Sequence, residues 1–84
     1  MNQKQRKTYN AIFAEPIRRN ILWNDVVALV KSIGGIVTQG DGLRVRFDLN
    51  EISLNIHSPH PQKELKRYQV KAIREFLKKA GVHL

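Results

Sequence analysis

The sequence contains no cysteine among its 84 residues, which excludes disulfide bonds and thiolate-based zinc sites. It also lacks any uninterrupted apolar run of the roughly 18 residues that a transmembrane helix needs. Acidic residues are scarce, because seven Asp and Glu stand against fifteen Lys and Arg, for a formal net charge of +8. We therefore expect a cytoplasmic protein that attracts polyanions, with nucleic acid as the first candidate, an anionic membrane surface second and an acidic protein third.

The chain has the size of one domain, and its 42% of hydrophobic residues is typical of a globular fold rather than of a disordered tail. The first residues, MNQKQRKTYNAIFAEP, are basic but lack the apolar stretch of a signal peptide, so we expect them in the mature protein. We divide the chain into a basic N-terminal extension with a short helix, residues 1–20, and a folded domain, residues 21–84.

Two helices are predicted in the first half of the chain. The short N-terminal helix is expected from Thr8 to Glu15, because Pro16 cannot continue it. The second helix is expected to start with Asn24 as its N-cap and to stop at Gly34-Gly35, with apolar residues at helical spacing between them.

After Gly35 the apolar period changes to two, which predicts three antiparallel strands. The strands are expected at residues 36–39, 43–49 and 52–57. Asn50-Glu51 is the expected two-residue turn of the second hairpin, because Asn tolerates a positive φ. This turn sets the register, so that Arg44 lies opposite His57 on the open side of the sheet. Arg46 and Asn55 are expected to face each other beside them.

A final amphipathic helix is expected from about Gln62 to Ala80, with Gly81 as its stop. Four cations on one side of this helix predict a continuous basic ridge, about 100° from the apolar stripe: Arg67, Lys71, Arg74 and Lys78. The predicted fold class is therefore α+β, a two-layer α-β-β-β-α domain with a three-stranded antiparallel sheet, preceded by a short helix.

From Ile21 to Val82 the sequence resembles the HicA toxins of bacterial toxin–antitoxin pairs. Three pieces carry the resemblance: a helix ending in Gly34-Gly35, the turn and strand Gly40-Asp41-Gly42-Leu43-Arg44-Val45-Arg46-Phe47, and His60-Pro61-Gln62-Lys63-Glu64-Leu65 before a helix that ends Lys79-Ala80-Gly81-Val82. The resemblance implies a fold like that of double-stranded-RNA-binding domains and a metal-independent endoribonuclease directed at messenger RNA. It also implies neutralisation by an antitoxin of the HicB type, and no cofactor is expected.

The strand motif usual in this family is Gly-Ser-His-x-x-Phe, whose His is taken to be catalytic. Counting back from Phe47, Arg44 occupies the His position, so the sequence resembles a branch in which Arg replaces that His. Cleavage of RNA without a metal requires a base, an acid and positive charge on the phosphate, and Arg supplies only the charge. The candidate base is therefore His57, opposite Arg44, and His60 is a further catalytic candidate because it matches the family's His before Lys-Glu-Leu.

RNA contacts are expected on the open sheet face and along the last helix, at Arg44, Arg46, Asn55, Lys63, Arg67, Lys71, Arg74 and Lys78. Lys63 is expected to form an anion site with the N-terminus of that helix. For Arg44 and Arg46 the alternative is ordinary solvent-facing strand charge, partly paired with Asp48. The cations of the last helix fit docking of an acidic antitoxin equally well, or are solvated surface charges. Trp23, Tyr9 and Phe13 are expected in the core or an interface rather than stacked on bases. No metal-ligand spacing is present, and no metal site is predicted.

These features leave three interpretations open. The first is a ribonuclease toxin with an altered site around Arg44 and His57. The second is a non-catalytic relative that binds RNA or an antitoxin but has lost the chemistry. The third is a basic interaction module unrelated to RNA, for which RNA binding that weakens with salt is not expected.

Overall fold

The computed structural model describes residues 2–84, so Met1 of the predicted extension lies outside the described residues. Three helices are present in this range, α1 (Gln3–Ile12), α2 (Trp23–Ser32) and α3 (Arg67–Lys79), with three strands, β1 (Ile36–Gln39), β2 (Arg44–Leu49) and β3 (Ile52–His57). The strands form one antiparallel sheet in the order β1-β2-β3. On one face of this sheet, α2 packs near β1 and α3 packs near β3, while α1 lies against α2 and α3. The predicted α+β class is confirmed.

The second hairpin forms as the sequence predicts. Asn50 and Glu51 have φ values of 50° and 67°, and a two-residue turn with positive φ at both positions matches the twist of the strands on either side. The resulting register pairs Arg44 with His57 and places six residue pairs between β2 and β3. The Asn50 side chain donates a hydrogen bond to the Ala80 carbonyl at 2.7 Å. The turn therefore lies at the C-terminal end of α3, and the Arg44–His57 pair lies at the opposite end of the hairpin.

The core fills the space between the sheet and the helices. Phe47 of β2 is fully buried, with its ring centroid 5.6 Å from that of Trp23 and 6.0 Å from that of Phe76. Tyr9 and Phe13 pack on each other with centroids 4.7 Å apart and cover the edge of this core. The expectation that Trp23, Tyr9 and Phe13 are packing residues is thus confirmed.

The bounds of the first two helices differ from those predicted. α1 starts at Gln3 because the Asn2 side chain accepts a hydrogen bond from the Gln5 N–H at 3.0 Å, and the Gln5 side chain accepts one from the Asn2 N–H at 3.3 Å. It also ends at Ile12, before the predicted Glu15. Asn24 was predicted as the N-cap of α2, but that position is held by Leu22, which makes no side-chain capping bond.

The start of α3 differs most. The helix begins at Arg67, later than predicted, because the segment before it is extended and pairs with the chain that enters α2. Glu64 forms an antiparallel bridge with Leu22, and the Trp23 N–H donates to the Lys63 carbonyl at 2.9 Å. The prediction that Lys63 forms an anion site at the N-terminus of the helix is therefore wrong, because Lys63 belongs to this extended segment.

Candidate functional site

The two faces of the sheet differ sharply in polarity. The residues on the open face are Ile36 and Thr38 of β1, Arg44, Arg46 and Asp48 of β2, and Ser53, Asn55 and His57 of β3. All of them are exposed except Asp48, which is half-buried. Four of the residues predicted to bind or cleave RNA, Arg44, Arg46, Asn55 and His57, therefore share one solvent-facing surface.

Arg44 and His57 form the last cross-strand pair of the hairpin, at the end remote from its turn. Side chains directly opposite each other in an antiparallel sheet have Cβ atoms about 4.5–5.5 Å apart, so one bound group can contact both. The backbone of Arg44 is held on both sides, since its N–H donates to the Asp41 carbonyl at 3.1 Å and its carbonyl accepts from the Gly40 N–H at 2.8 Å. The backbone position of Arg44 in this pair is thus fixed at the end of the sheet.

A single buried amide joins this end of β3 to the start of α3. Gln69 is only 2% exposed. Its side-chain Nε2 donates to the His57 carbonyl at 2.8 Å, and its Oε1 accepts from the Lys66 N–H at 2.8 Å. A buried amide that satisfies both its donor and its acceptor fixes the two segments that it connects. The spacing between His57 and the first turn of α3 is therefore set by the fold.

The Arg44–His57 pair stands between two shallow depressions. The first has a volume of about 450 Å³ and lies over the open sheet face, where Thr38, Arg46 and Asn55 are among the other residues that line it. Every side chain named here carries a hydrogen-bonding group, and two of them carry positive charge. This depression can therefore accept a polar, anionic ligand.

The second depression, of about 480 Å³, lies at the strand ends and reaches the first turn of α3. Arg44, His57 and His60 all line it, so the structure brings together the three residues predicted as catalytic. It adds Lys66 and Tyr68, which the sequence analysis did not select. One signal was available for Tyr68, because it falls outside the apolar stripe of α3 and so has no place in the core.

Arg46 is more constrained than Arg44. Its Nε donates to both carboxylate oxygens of Asp48 at 3.0 Å, and its Nη2 donates to Ser53 Oγ at 3.0 Å. The Ser53 hydroxyl donates to Asp48 Oδ1 at 2.6 Å; this bond, with a smaller effect of Arg46, lowers the pKa of Asp48 below its ordinary value of 3.8. Within the described chain Arg44 has no carboxylate within ion-pair distance, so it is the better candidate to receive an external anion.

The predicted basic ridge on α3 is interrupted. The Arg74 side chain is only 14% exposed, and its guanidinium donates hydrogen bonds to the Ile12 and Ala14 carbonyls and to the Glu15 carboxylate. It satisfies carbonyl groups at the C-terminal end of α1, where the helix leaves them without partners. The prediction of a continuous exposed ridge is wrong at Arg74, while the other three members, Arg67, Lys71 and Lys78, are exposed.

Two further findings concern residues 2–84 as a whole. No group of three or more His, Asp or Glu side chains in this range is placed to hold a metal ion. No helix in the same range combines the length and the apolar character needed to cross a membrane.

The fold and the site define a small α+β protein whose open sheet face ends in exposed cationic and imidazole side chains. A family model described as HicA toxin of bacterial toxin-antitoxin matches residues 23–82, and the chain belongs to this family. It is accordingly the toxin of a toxin–antitoxin pair, with an antitoxin as its partner. No curated protein and no solved structure matches the chain significantly.

Proposed function

We propose that this toxin binds RNA, messenger RNA above all, and cleaves its backbone at the sheet end with Arg44, His57 and His60. The observation that carries the proposal is the pairing of Arg44 with His57 at the end of the hairpin, where both are exposed and line the same depression as His60. A phosphate bound by Arg44 there lies within reach of an imidazole. The arrangement thus combines the charge and the proton-transfer groups that metal-free RNA cleavage needs.

In the proposed reaction the neutral imidazole of His57 takes the proton of a ribose 2′-hydroxyl, and the 2′-oxygen forms a bond to the adjacent phosphorus. The bond from phosphorus to the 5′-oxygen of the next nucleotide breaks, and protonated His60 gives its proton to that oxygen. The products are a 2′,3′-cyclic phosphate and a free 5′-hydroxyl. Arg44 stabilises the negative charge that builds up on the phosphate oxygens, because its guanidinium remains protonated throughout.

The remaining cations are proposed to guide the RNA backbone. Arg46 and Asn55 line the depression over the sheet, and the proposed contacts beyond it are the exposed Lys63, Arg67, Lys71 and Lys78. Arg74 is not included, because its guanidinium is engaged with α1. Each phosphate contact that releases a counterion makes binding more sensitive to salt, so we expect affinity to fall steeply as salt is raised.

A second function, binding without cleavage, is favoured by one observation. Counting back from Phe47, the position of the family's usual His holds Arg44, and a guanidinium cannot serve as the base. We propose that the chain belongs to a branch with this exchange and that cleavage, where it occurs, depends on His57 instead. If His57 is not used, the protein is an RNA- or antitoxin-binding relative.

Three further elements of the proposal follow from family membership. We propose that the antitoxin is of the HicB type and that the pair acts in the cytoplasm as part of a stress response. We also propose that residues 21–84 form the HicA-like domain and residues 1–20 an extension of it. The family match over residues 23–82 supports this division.

The deciding experiment incubates the purified protein with end-labelled single-stranded RNA in excess chelator. Cleavage by the parent and by His83→Ala, but not by His57→Ala, is expected, because His83 follows Ala80 at the opposite end of the molecule. Equal cleavage by the parent and His57→Ala would contradict the role of His57 and direct the same test to His60→Ala. Absence of cleavage with salt-sensitive binding retained would favour the non-catalytic function.

A further inference from the structure

Tyr68 differs from the other aromatic residues of the described chain in its surroundings. The remaining aromatic side chains, Tyr9, Phe13, Trp23, Phe47 and Phe76, lie in or against the core. Tyr68 is 62% exposed. A single exposed apolar residue is common on protein surfaces and by itself indicates nothing. What distinguishes Tyr68 is the set of residues that surround it.

Tyr68 lines the same depression as Arg44, His57 and His60, with Lys66 beside it. Its backbone lies in the first turn of α3, next to the buried Gln69 that is hydrogen-bonded to both neighbouring segments. The aromatic ring is therefore attached to a fixed part of the fold. A flat apolar surface and several cationic or imidazole groups thus share one site.

This combination matches the two parts of a nucleotide. Cationic side chains take the phosphate, and an aromatic ring offers its face to the base, which is the usual way that proteins bind single strands. A base inside a duplex is already paired and stacked on both sides, so it is not available to an external ring. On the basis of the function proposed above, we infer that Tyr68 is a stacking platform for a nucleobase and that the RNA bound at this site is single-stranded.

The test compares the affinity of the full chain for a fluorescent single-stranded RNA with its affinity for the same sequence in a perfect duplex. Tyr68→Ala lowers the affinity for the single strand roughly 5- to 150-fold, the range found when a stacking aromatic is removed. Tyr68→Phe keeps the ring and stays close to the parent, whereas Tyr68→Leu keeps only apolar bulk and falls towards the alanine variant. Affinity for the duplex changes little in all three variants.

The salt dependence separates stacking from charge. Tyr68→Ala removes no cation, so the slope of log K against log salt remains that of the parent, whereas Arg44→Gln reduces it. As a direct measurement, a single-stranded RNA containing 4-thiouridine is irradiated with the parent, and a crosslinked peptide containing Tyr68 is expected in mass spectrometry.

Three results would overturn the inference while leaving the proposed function intact. They are unchanged single-strand affinity in Tyr68→Ala, equal losses for single strand and duplex, and a Tyr68→Phe variant as weak as Tyr68→Ala. A parent that shows no salt-sensitive RNA binding would instead refute the proposed function, and the inference with it. Because Tyr68 is exposed, thermal denaturation of all variants is expected to match the parent, which excludes misfolding as the cause of a loss.

Discussion

Replacing Gln69 with Leu is expected to destabilise the protein more than any change at an exposed position. The substitution keeps a similar volume but leaves the His57 carbonyl and the Lys66 N–H without the partners that they have in the fold. An unsatisfied backbone group costs about 1–3 kcal/mol, and the buried Leu returns part of the two penalties through its apolar surface. We therefore expect the free energy of unfolding to fall by about 2–4 kcal/mol.

This loss is large beside the total stability of a chain of this size, about 4–13 kcal/mol at typical values per residue. Urea denaturation at neutral pH measures it, and the melting temperature should fall by roughly 10–25 °C. Gln62→Leu is the matched control, because Gln62 is an exposed glutamine of the same connection and should change stability by less than about 0.5 kcal/mol. A Gln69→Leu variant as stable as this control would show that the buried amide does not hold β3 to α3.

Three other changes test separate parts of the structure. Arg74→Ala should lower the free energy of unfolding by about 1–3 kcal/mol in urea denaturation, because carbonyl groups at the end of α1 lose a charged donor. The control Lys71→Ala, at an exposed position, should stay within about 0.5 kcal/mol of the parent. Equal effects of the two substitutions would refute the idea that Arg74 holds α1 in place. Because the pKa of Asp48 is lower in the folded state, its carboxylate contributes stability that is present above the unfolded pKa of 3.8 and is lost as pH falls through the folded pKa. In thermal melts below pH 3.8 the parent should therefore lose stability relative to Asp48→Asn. Parallel pH curves for the two proteins would contradict this. Arg44→Gln should reduce the slope of log K for RNA binding against log salt by about 1. Arg46→Gln should reduce it by less, because Arg46 is already paired with Asp48. A larger reduction for Arg46→Gln than for Arg44→Gln would indicate that the phosphate does not bind at Arg44.

The sheet could be predicted from the sequence because its signals are local. Alternation in β2 and β3 and the turn residues Asn50 and Glu51 fix both the register and the face on which each side chain lies. For this reason the pairing of Arg44 with His57 followed from the sequence and is confirmed. The open sheet face, which supplies two of the three proposed catalytic residues, was thus predictable from the sequence alone.

What the sequence could not show depends on contacts between distant segments. The helical pattern before Arg67 is overridden by the bridge between Glu64 and Leu22, whose partners are far apart in the chain. Arg74 has the spacing of a solvent-exposed cation, and only the position of α1 reveals its hydrogen bonds. Tyr68 was missed because periodicity within one helix shows only that it lies outside the core, and not that it lines a depression together with residues of the strand ends.

The hydrogen bonds between Arg74 and the end of α1 show that the family match and the cooperatively folded unit begin at different residues. The family match begins at Trp23, yet Ile12 is fully buried and the guanidinium of an α3 residue is satisfied by atoms of residues 12–15. The unit that folds cooperatively is therefore longer than the segment that matches the family. A chain trimmed to the family match would uncover part of the core and leave the largely buried guanidinium of Arg74 without these acceptors. We therefore expect residues 2–20 to melt together with the rest in a single transition.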